Sequence, residues 1–240
     1  MTLGKRKRGQ MTKTQAAKVI QTAFRSKKRR KQNALTRGFV QSNHRWVDKN
    51  SASSTMPADQ ASAAWLVPNS AYDISNVGRG SAYNERDGDA LQPLSLRFRF
   101  TLGRGGNQTA DHKVRVILAL DRAPNKAEHW WTDIIDQVAG TLVEGNPKLQ
   151  NRRRFRLLYD KEFLIAGSSS STGSPFIVKD KWFDLSKFKP FIFSSAATTG
   201  KITDSISNYL IAWFINNGAS ASADDTFPSF VLSSRFKFNP

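Results

Sequence analysis

Apolar and polar positions change their period along this chain, and the change divides it. From residue 44 onward the pattern is that of β-strands. Leu94, Leu96, Phe98, Phe100 and Leu102 alternate with Ser95, Arg97, Arg99 and Thr101, which places one set on a core and the other toward solvent. Residues 113–121 begin by alternating and become continuously apolar, the signature of a strand covered on both faces. Residues 154–165, 182–193, 209–215 and 227–238 are four more β-rich runs, and 44–47 and 64–67 are two shorter ones. Loops rich in Gly, Ser, Thr and Asn separate them at 103–107, 166–174, 196–200 and 216–225. One stretch of this part, residues 127–138, has helical spacing, with Trp130, Trp131, Ile134, Ile135 and Val138 on one face and Pro124-Asn125 as a turn ahead of it. The prediction is an all-β fold: an eight-stranded antiparallel sandwich of jelly-roll or immunoglobulin-like form, with one short inserted helix.

Before residue 44 the period is that of a helix. Ala16, Val19, Ile20, Ala23 and Phe24 recur on one narrow face, which predicts a short amphipathic helix near residues 12–26. Thr12 or Thr14 caps its start, and the cations that follow suit its C-terminal dipole. At this length it is marginal alone and is expected to form on binding.

Charge sharpens the division. The 240 residues carry 37 Lys and Arg against 19 Asp and Glu, a formal net charge of +18. Fourteen of those cations precede the first carboxylate, Asp48, which leaves 23 against 19 for the rest. The chain therefore reads as a basic arm, residues 1–43, joined to a nearly neutral body, residues 44–240. The arm has too few large apolar residues to offset the ordering of its backbone, so it is expected to be disordered until it meets a polyanion. Packed cations without acids are what counterion release from phosphates rewards. The nucleic-acid-binding candidates are Lys5, Arg6, Lys7, Arg8, Lys13, Lys18, Arg25, Lys27, Lys28, Arg29, Arg30, Lys31, Arg37 and Arg45. Arg152, Arg153, Arg154 and Arg156, with Arg97 and Arg99, are candidates to help them from the body. Lys5–Arg8 and Lys27–Lys31 also read as a nuclear import signal. Ile20-Gln21, Arg25 and Arg30 fit the spacing of a calmodulin-binding IQ motif, with Ser26 where glycine is usual.

Aromatic content adds to the core. Sixteen Phe and six Trp are a large apolar payload for such a body, and Phe98, Phe100, Phe155, Phe163, Phe236 and Phe238 have the parity of core positions. Trp46 and Trp65, close behind the arm, are open to stacking on a base as well as to packing.

Catalytic and metal chemistry finds little support. With no cysteine, disulfides, zinc-thiolate sites and thiol nucleophiles are excluded. Three widely spaced histidines, His44, His112 and His129, match no metal or triad motif. Gly103-Arg104-Gly105-Gly106 is a turn between strands, not a phosphate loop. Asp133 and Asp136 lie three apart on the expected helix and read as solvated polar-face residues. Asp87-Gly88-Asp89 and Asp224-Asp225 offer oxygens to a structural calcium, yet neither resembles an EF-hand loop. The expectation is a non-enzymatic protein without a cofactor. No run of 18 apolar residues occurs, so no transmembrane segment is expected.

Taken together, basic arm, amphipathic helix and all-β body resemble the single-jelly-roll coat proteins of satellite tobacco necrosis virus and of small circular single-stranded DNA viruses. Val114-Arg115-Val116-Ile117-Leu118-Ala119-Leu120-Asp121, then Pro124-Asn125, the expected helix and Arg154-Phe155-Arg156-Leu157-Leu158-Tyr159-Asp160-Lys161 are similar to their central strand, loop helix and following strand. Asn84-Glu85-Arg86-Asp87-Gly88-Asp89, just ahead of the Leu94 strand, is similar to a loop they also carry. The resemblance implies a capsid protein that assembles with about sixty copies of itself into a closed icosahedral shell, its arms turned inward on a single-stranded genome. It favours DNA over RNA, and implies residence in the virion and in the host nucleus during assembly. The alternative is a cellular β-sandwich binding module whose basic tail binds nucleic acid or calmodulin. A β-rich hydrolase built on Asp87, Asp89 and Asp160 is the third reading.

Overall fold

The computed structural model describes residues 44–56, 73–126, 133–136, 145–168, 175–195, 198–216 and 227–240. The chain divides between Asn43 and His44, and the unit from His44 to Pro240 is all-β. Its described residues form ten strands: β1 (Arg45–Asn50), β2 (Ser54–Thr55), β3 (Ala90–Gly103), β4 (His112–Asp121), β5 (Phe155–Ile165), β6 (Phe176–Asp184), β7 (Phe191–Phe193), β8 (Ser205–Ser207), β9 (Tyr209–Asn216) and β10 (Ser229–Asn239). Among these residues the helical content is limited to short 3-10 turns such as Leu149–Asn151 and Ile202–Asp204, and no helix is long and apolar enough to cross a membrane. The helix expected over 12–26 and the strand expected at 64–67 lie outside the described residues.

All pairings between strands are antiparallel and fall into two sheets. The larger runs β1-β10-β3-β7-β8, with β2 also on β10 and β6 also on β3; the smaller runs β5-β4-β9. An isolated antiparallel bridge joins Asp73 to Ile211 at β9. β3 is long enough to take two partners in succession, β6 along Ser95–Gly103 and β7 along Ala90–Leu91.

The alternation read from β3 sets its faces. Leu96, Phe98, Phe100 and Leu102 are buried, and across the ladder they stand beside Phe236, Ser234, Leu232 and Phe230 of β10. Phe98 and Phe100 meet Tyr159 of β5 and Phe214 of β9 with ring centroids 5.8 to 6.5 Å apart. Phe214 stacks on Phe230 at 4.3 Å. These rings join the two sheets face to face. β4, the centre of the smaller sheet, is buried at every position but Lys113, as its unbroken apolar run demands. Part of its second face is covered by the β4–β5 connection, since Arg115 Nη1 donates to the Gly145 carbonyl at 2.6 Å.

Four expectations change. The run 182–193 is two strands: β6 stops at Asp184, Phe188 N–H closes a turn onto Leu185 O at 2.9 Å, and Pro190, which cannot donate to a ladder, precedes β7. β6 also starts earlier than the pattern predicts, at Phe176. Ten strands are described where eight are expected: seven of the eight appear, 64–67 lies outside the described residues, and β2, β7 and β8, two or three residues long, are added. The inserted helix is not found where it is described. Of residues 127–138 the structure describes 133–136, which form a 3-10 and turn segment in which Ile135 bridges Pro147 as a strand residue does. Ile134 and Ile135 are nonetheless buried.

Candidate nucleic-acid interface

Thirteen of the fourteen cations proposed to meet nucleic acid, Lys5, Arg6, Lys7, Arg8, Lys13, Lys18, Arg25, Lys27, Lys28, Arg29, Arg30, Lys31 and Arg37, lie outside the described residues. So does the IQ-like segment. The fourteenth, Arg45, opens β1, and its guanidinium is engaged with the loop ahead of β3. It donates to the Glu85 carbonyl at 2.6 Å and pairs with the Asp87 carboxylate at 2.7 Å. Arg45 thus holds the loop 82–87 against the start of the first strand.

The outer face of the larger sheet carries alternating cations, as the β3 pattern predicts, but acids accompany them. The rows that cross the sheet are set by register: Asp48, Arg235, Arg97 and Trp182 in one, Asn50, Ser233, Arg99 and Asp180 in the next. Arg97 makes a two-pronged contact with Asp180, Nη2 to Oδ2 at 2.6 Å, and Arg235 does the same with Asp48, Nε to Oδ1 at 2.7 Å. Hydrogen bonding from these guanidinium groups holds both carboxyls below the usual aspartate range. Trp182 lies under Arg97 with its ring centre 5.8 Å from the guanidinium carbon, and it is 66% exposed. Trp46 is 38% exposed and meets Tyr83 edge-on at 5.2 Å. The face is amphipathic and close to neutral. Trp65 lies outside the described residues.

A different cationic group gathers at one end of the smaller sheet. β4 ends at Asp121, which is fully buried, and Asp121 accepts from Arg154 Nε and Nη2 at 3.0 and 3.2 Å and from Ala123 N–H at 3.0 Å. Arg154 is thereby turned inward. Its neighbours turn the other way. Arg122, Lys148, Arg152 and Arg156 line a cleft of about 320 Å³ over a floor that includes Pro147 and Leu157. Backbone bonds fix this geometry: Arg122 N–H to Arg154 O at 3.0 Å, Lys148 N–H to Ile134 O at 2.7 Å, and Arg154 N–H to Asn151 O at 2.9 Å. Asn151, also on the cleft, donates its side-chain amide to Asp133 O at 2.6 Å. Arg156 lies over the Phe188 ring at 4.7 Å. Among the described residues no carboxylate lines the cleft.

The acids considered for catalysis or calcium have arginine partners. Asp87 pairs with Arg45, Asp89 with Arg79 at 3.3 Å, and Asp160 receives Arg115 Nε and Nη2 at 2.6 and 2.7 Å. No cluster of three or more His, Asp or Glu that would hold a metal occurs among the described residues, and Asp224-Asp225 lies outside them. His112 is buried against Asn216 Oδ1 at 3.0 Å and the Phe227 ring, a packed position.

Sequence reading found Arg152, Arg153, Arg154 and Arg156 as a group but did not separate Arg154, spent on Asp121, from the others. It missed Arg122 and Lys148, whose signal was weak: single cations flanking a long connection. It also missed exposed Trp182, which lay in a run read as ordinary strand. No protein-family model matches this chain, and no curated protein matches it.

Proposed function

We propose that this chain is a viral coat protein, a jelly-roll subunit that assembles with about sixty copies of itself into a closed icosahedral shell and packages single-stranded nucleic acid through its Lys/Arg-rich N-terminal arm. The order of strand pairing carries the reading. A jelly roll is a long antiparallel hairpin of eight strands rolled up, so the first strand pairs with the last, the second with the seventh, the third with the sixth and the fourth with the fifth. Counting the Asp73 bridge as the second strand and β6 as the sixth, the same sequence runs here: β1 with β10, Asp73 with β9, β3 with β6, β4 with β5. Rolling then adds eighth to third and seventh to fourth, which are β10 with β3 and β9 with β4.

Two further features fit a subunit of a shell. Tyr83, Leu149, Phe176 and Trp182 are each more than half exposed, apolar surface that closed symmetry would bury between copies. Most of the excess charge, 13 of the net 18, precedes the first strand, as an arm reaching a packaged genome requires. The function needs no catalysis and no cofactor. DNA is the favoured genome, the virion and the host nucleus the favoured locations, with Lys5–Arg8 and Lys27–Lys31 serving import.

Negative-stain electron microscopy of the purified chain at neutral pH and moderate salt tests the reading. Uniform closed particles about 20 nm across, the scale of a shell of about sixty such subunits, are expected. Monomers or dimers that persist when nucleic acid is added would sink it in favour of a cellular binding module.

A further inference from the structure

We infer that the cleft between the end of β4 and the start of β5 is a nucleotide-binding site, separate from the arm, in which Arg122, Lys148, Arg152 and Arg156 hold the backbone phosphate of a single strand. Four cations converge there from positions 122 to 156, and among the described residues no carboxylate lines the space. The acid nearest in the chain, Asp121, is buried and neutralised by Arg154, so it does not compensate the other four. Among the described residues Arg152 and Arg156 have no ion-pair partner, unlike Arg97 and Arg235 on the larger sheet. A guanidinium without a carboxylate partner is free to take a phosphate, which it binds through two parallel N–H donors.

Size and lining point to a nucleotide in a strand. A space of about 320 Å³ exceeds what a phosphate fills and falls at the lower end of pockets for small organic ligands. Pro147 and Leu157 supply an apolar floor beside the cations, suited to the face of a base or a sugar while the phosphate meets the guanidinium groups. Backbone phosphates of this kind carry no sequence information, so the site positions a strand without reading it. Arg156 leads away from the cleft over Phe188, which Lys187 and Lys189 flank in sequence, giving the strand a continuing cationic path.

This inference rests on the reading of the chain as a coat protein that packages nucleic acid, and the tests of the two separate. The full chain is prepared with Lys5–Arg8 and Lys27–Lys31 replaced by Gln, so that the body contributes a measurable share of the binding. Fluorescein-labelled (dT)10 is titrated against it by anisotropy, alone and with R152Q/R156Q added. The expected result is a loss of about tenfold or more and a salt slope shallower by about 1.4, two phosphates at about 0.7 each on a single strand. A charge-matched pair on the larger sheet, K181Q/K237Q, is expected to change affinity less than twofold. Equal losses for the two pairs, or none for either, overturn the site, as does an R152Q/R156Q variant that weakens competition by inorganic pyrophosphate while its affinity for (dT)10 is unchanged.

A second measurement does not depend on the variants folding. Ultraviolet cross-linking of bromodeoxyuridine-substituted (dT)10 to the unaltered chain is expected to label the peptide spanning residues 147–157, and absence of label there overturns the site. Closed particles whose binding depends on the arm, combined with either failure, dismiss the cleft and leave the coat-protein reading standing. Absence of particles and of any binding by the unaltered chain dismisses that reading.

Discussion

Arginine has three separate employments in this molecule, and burial with partner sorts them. Arg86 is fully buried beneath the loop 84–89, where its guanidinium donates to the carbonyls of Val77 and Gly88 and rests on the Phe193 ring at 4.5 Å. Burial pulls its pKa down, yet arginine stays charged because its ordinary value is so high. Arg115 is spent on Asp160 and Gly145, whereas Arg152 and Arg156 of the cleft are exposed and have no ion-pair partner among the described residues. A neighbouring buried group gives a test at the same scale. Tyr209 donates its hydroxyl to the Gly200 carbonyl at 3.1 Å, and burial first, then the Asp73 carboxylate, pushes its phenol well above the ordinary value. A folded-state pKa raised in this way contributes stability that is complete below the unfolded value of about 10 and is lost as pH rises beyond it. Tyr209→Phe is therefore expected to make the alkaline loss of stability above about pH 10 shallower. Some slope persists, because Tyr159 is raised by burial too. At neutral pH the same variant is expected to cost about 1 kcal/mol for the lost hydrogen bond. Urea midpoints measured from pH 7 to 11.5 check both, and an unchanged alkaline limb would show that Tyr209 does not govern it.

At the scale of elements, β3 decides how far the pattern can be trusted. Its inward phenylalanines meet rings from two strands of the facing sheet, β5 and β9, whereas Arg99, one position away, points outward. Phe100→Ala is expected to cost about 3–5 kcal/mol by opening a cavity, and Arg99→Ala less than about 0.5 kcal/mol, as surface changes do. Comparable losses in chemical denaturation would mean the strand does not present two unlike faces. Where an element has one wet face and one dry face, as β3 and β10 do, the sequence displays it. Where both faces are covered, periodicity reports burial without form. Trp130, Trp131, Ile134 and Ile135 are apolar pairs three to four apart, which suits a helix, but Ile135 sits in a bridge to Pro147 instead. Short strands are equally hidden. β7 and β8 hold three residues each and take their place from Phe193, Ser205 and the ladder to β3, not from any pattern of their own. The cleft escaped for a related reason. Arg122 and Arg156 are 34 positions apart in the chain and meet only because β4 and β5 pair, with Leu120 opposite Arg156.

Over the whole molecule, the uneven distribution of charge is the property most open to measurement. The outer face of the larger sheet nearly cancels its own charge through Asp48 and Asp180, and the body as a whole holds 24 cations against 19 acids. Electrostatic affinity for a polyanion must then come chiefly from the segment before Asp48, with the cleft adding a fixed point of contact. If the 14 cations ahead of Asp48 engage phosphates of a single strand, log K should fall against log salt with a slope of about −10, at about 0.7 per contact. The cleft adds only about one to three units to this, so deletion of residues 1–37 is expected to flatten the slope to that level. The body has its own continuous core of buried residues from β1 to β10, and the deletion removes none of those residues, so its melting transition is expected to stay within a few degrees. The two readouts must part company. A slope shallower than about −3 for the unaltered chain would remove the arm from the binding mechanism, and collapse of the melting transition on deletion would make the arm part of the folded core.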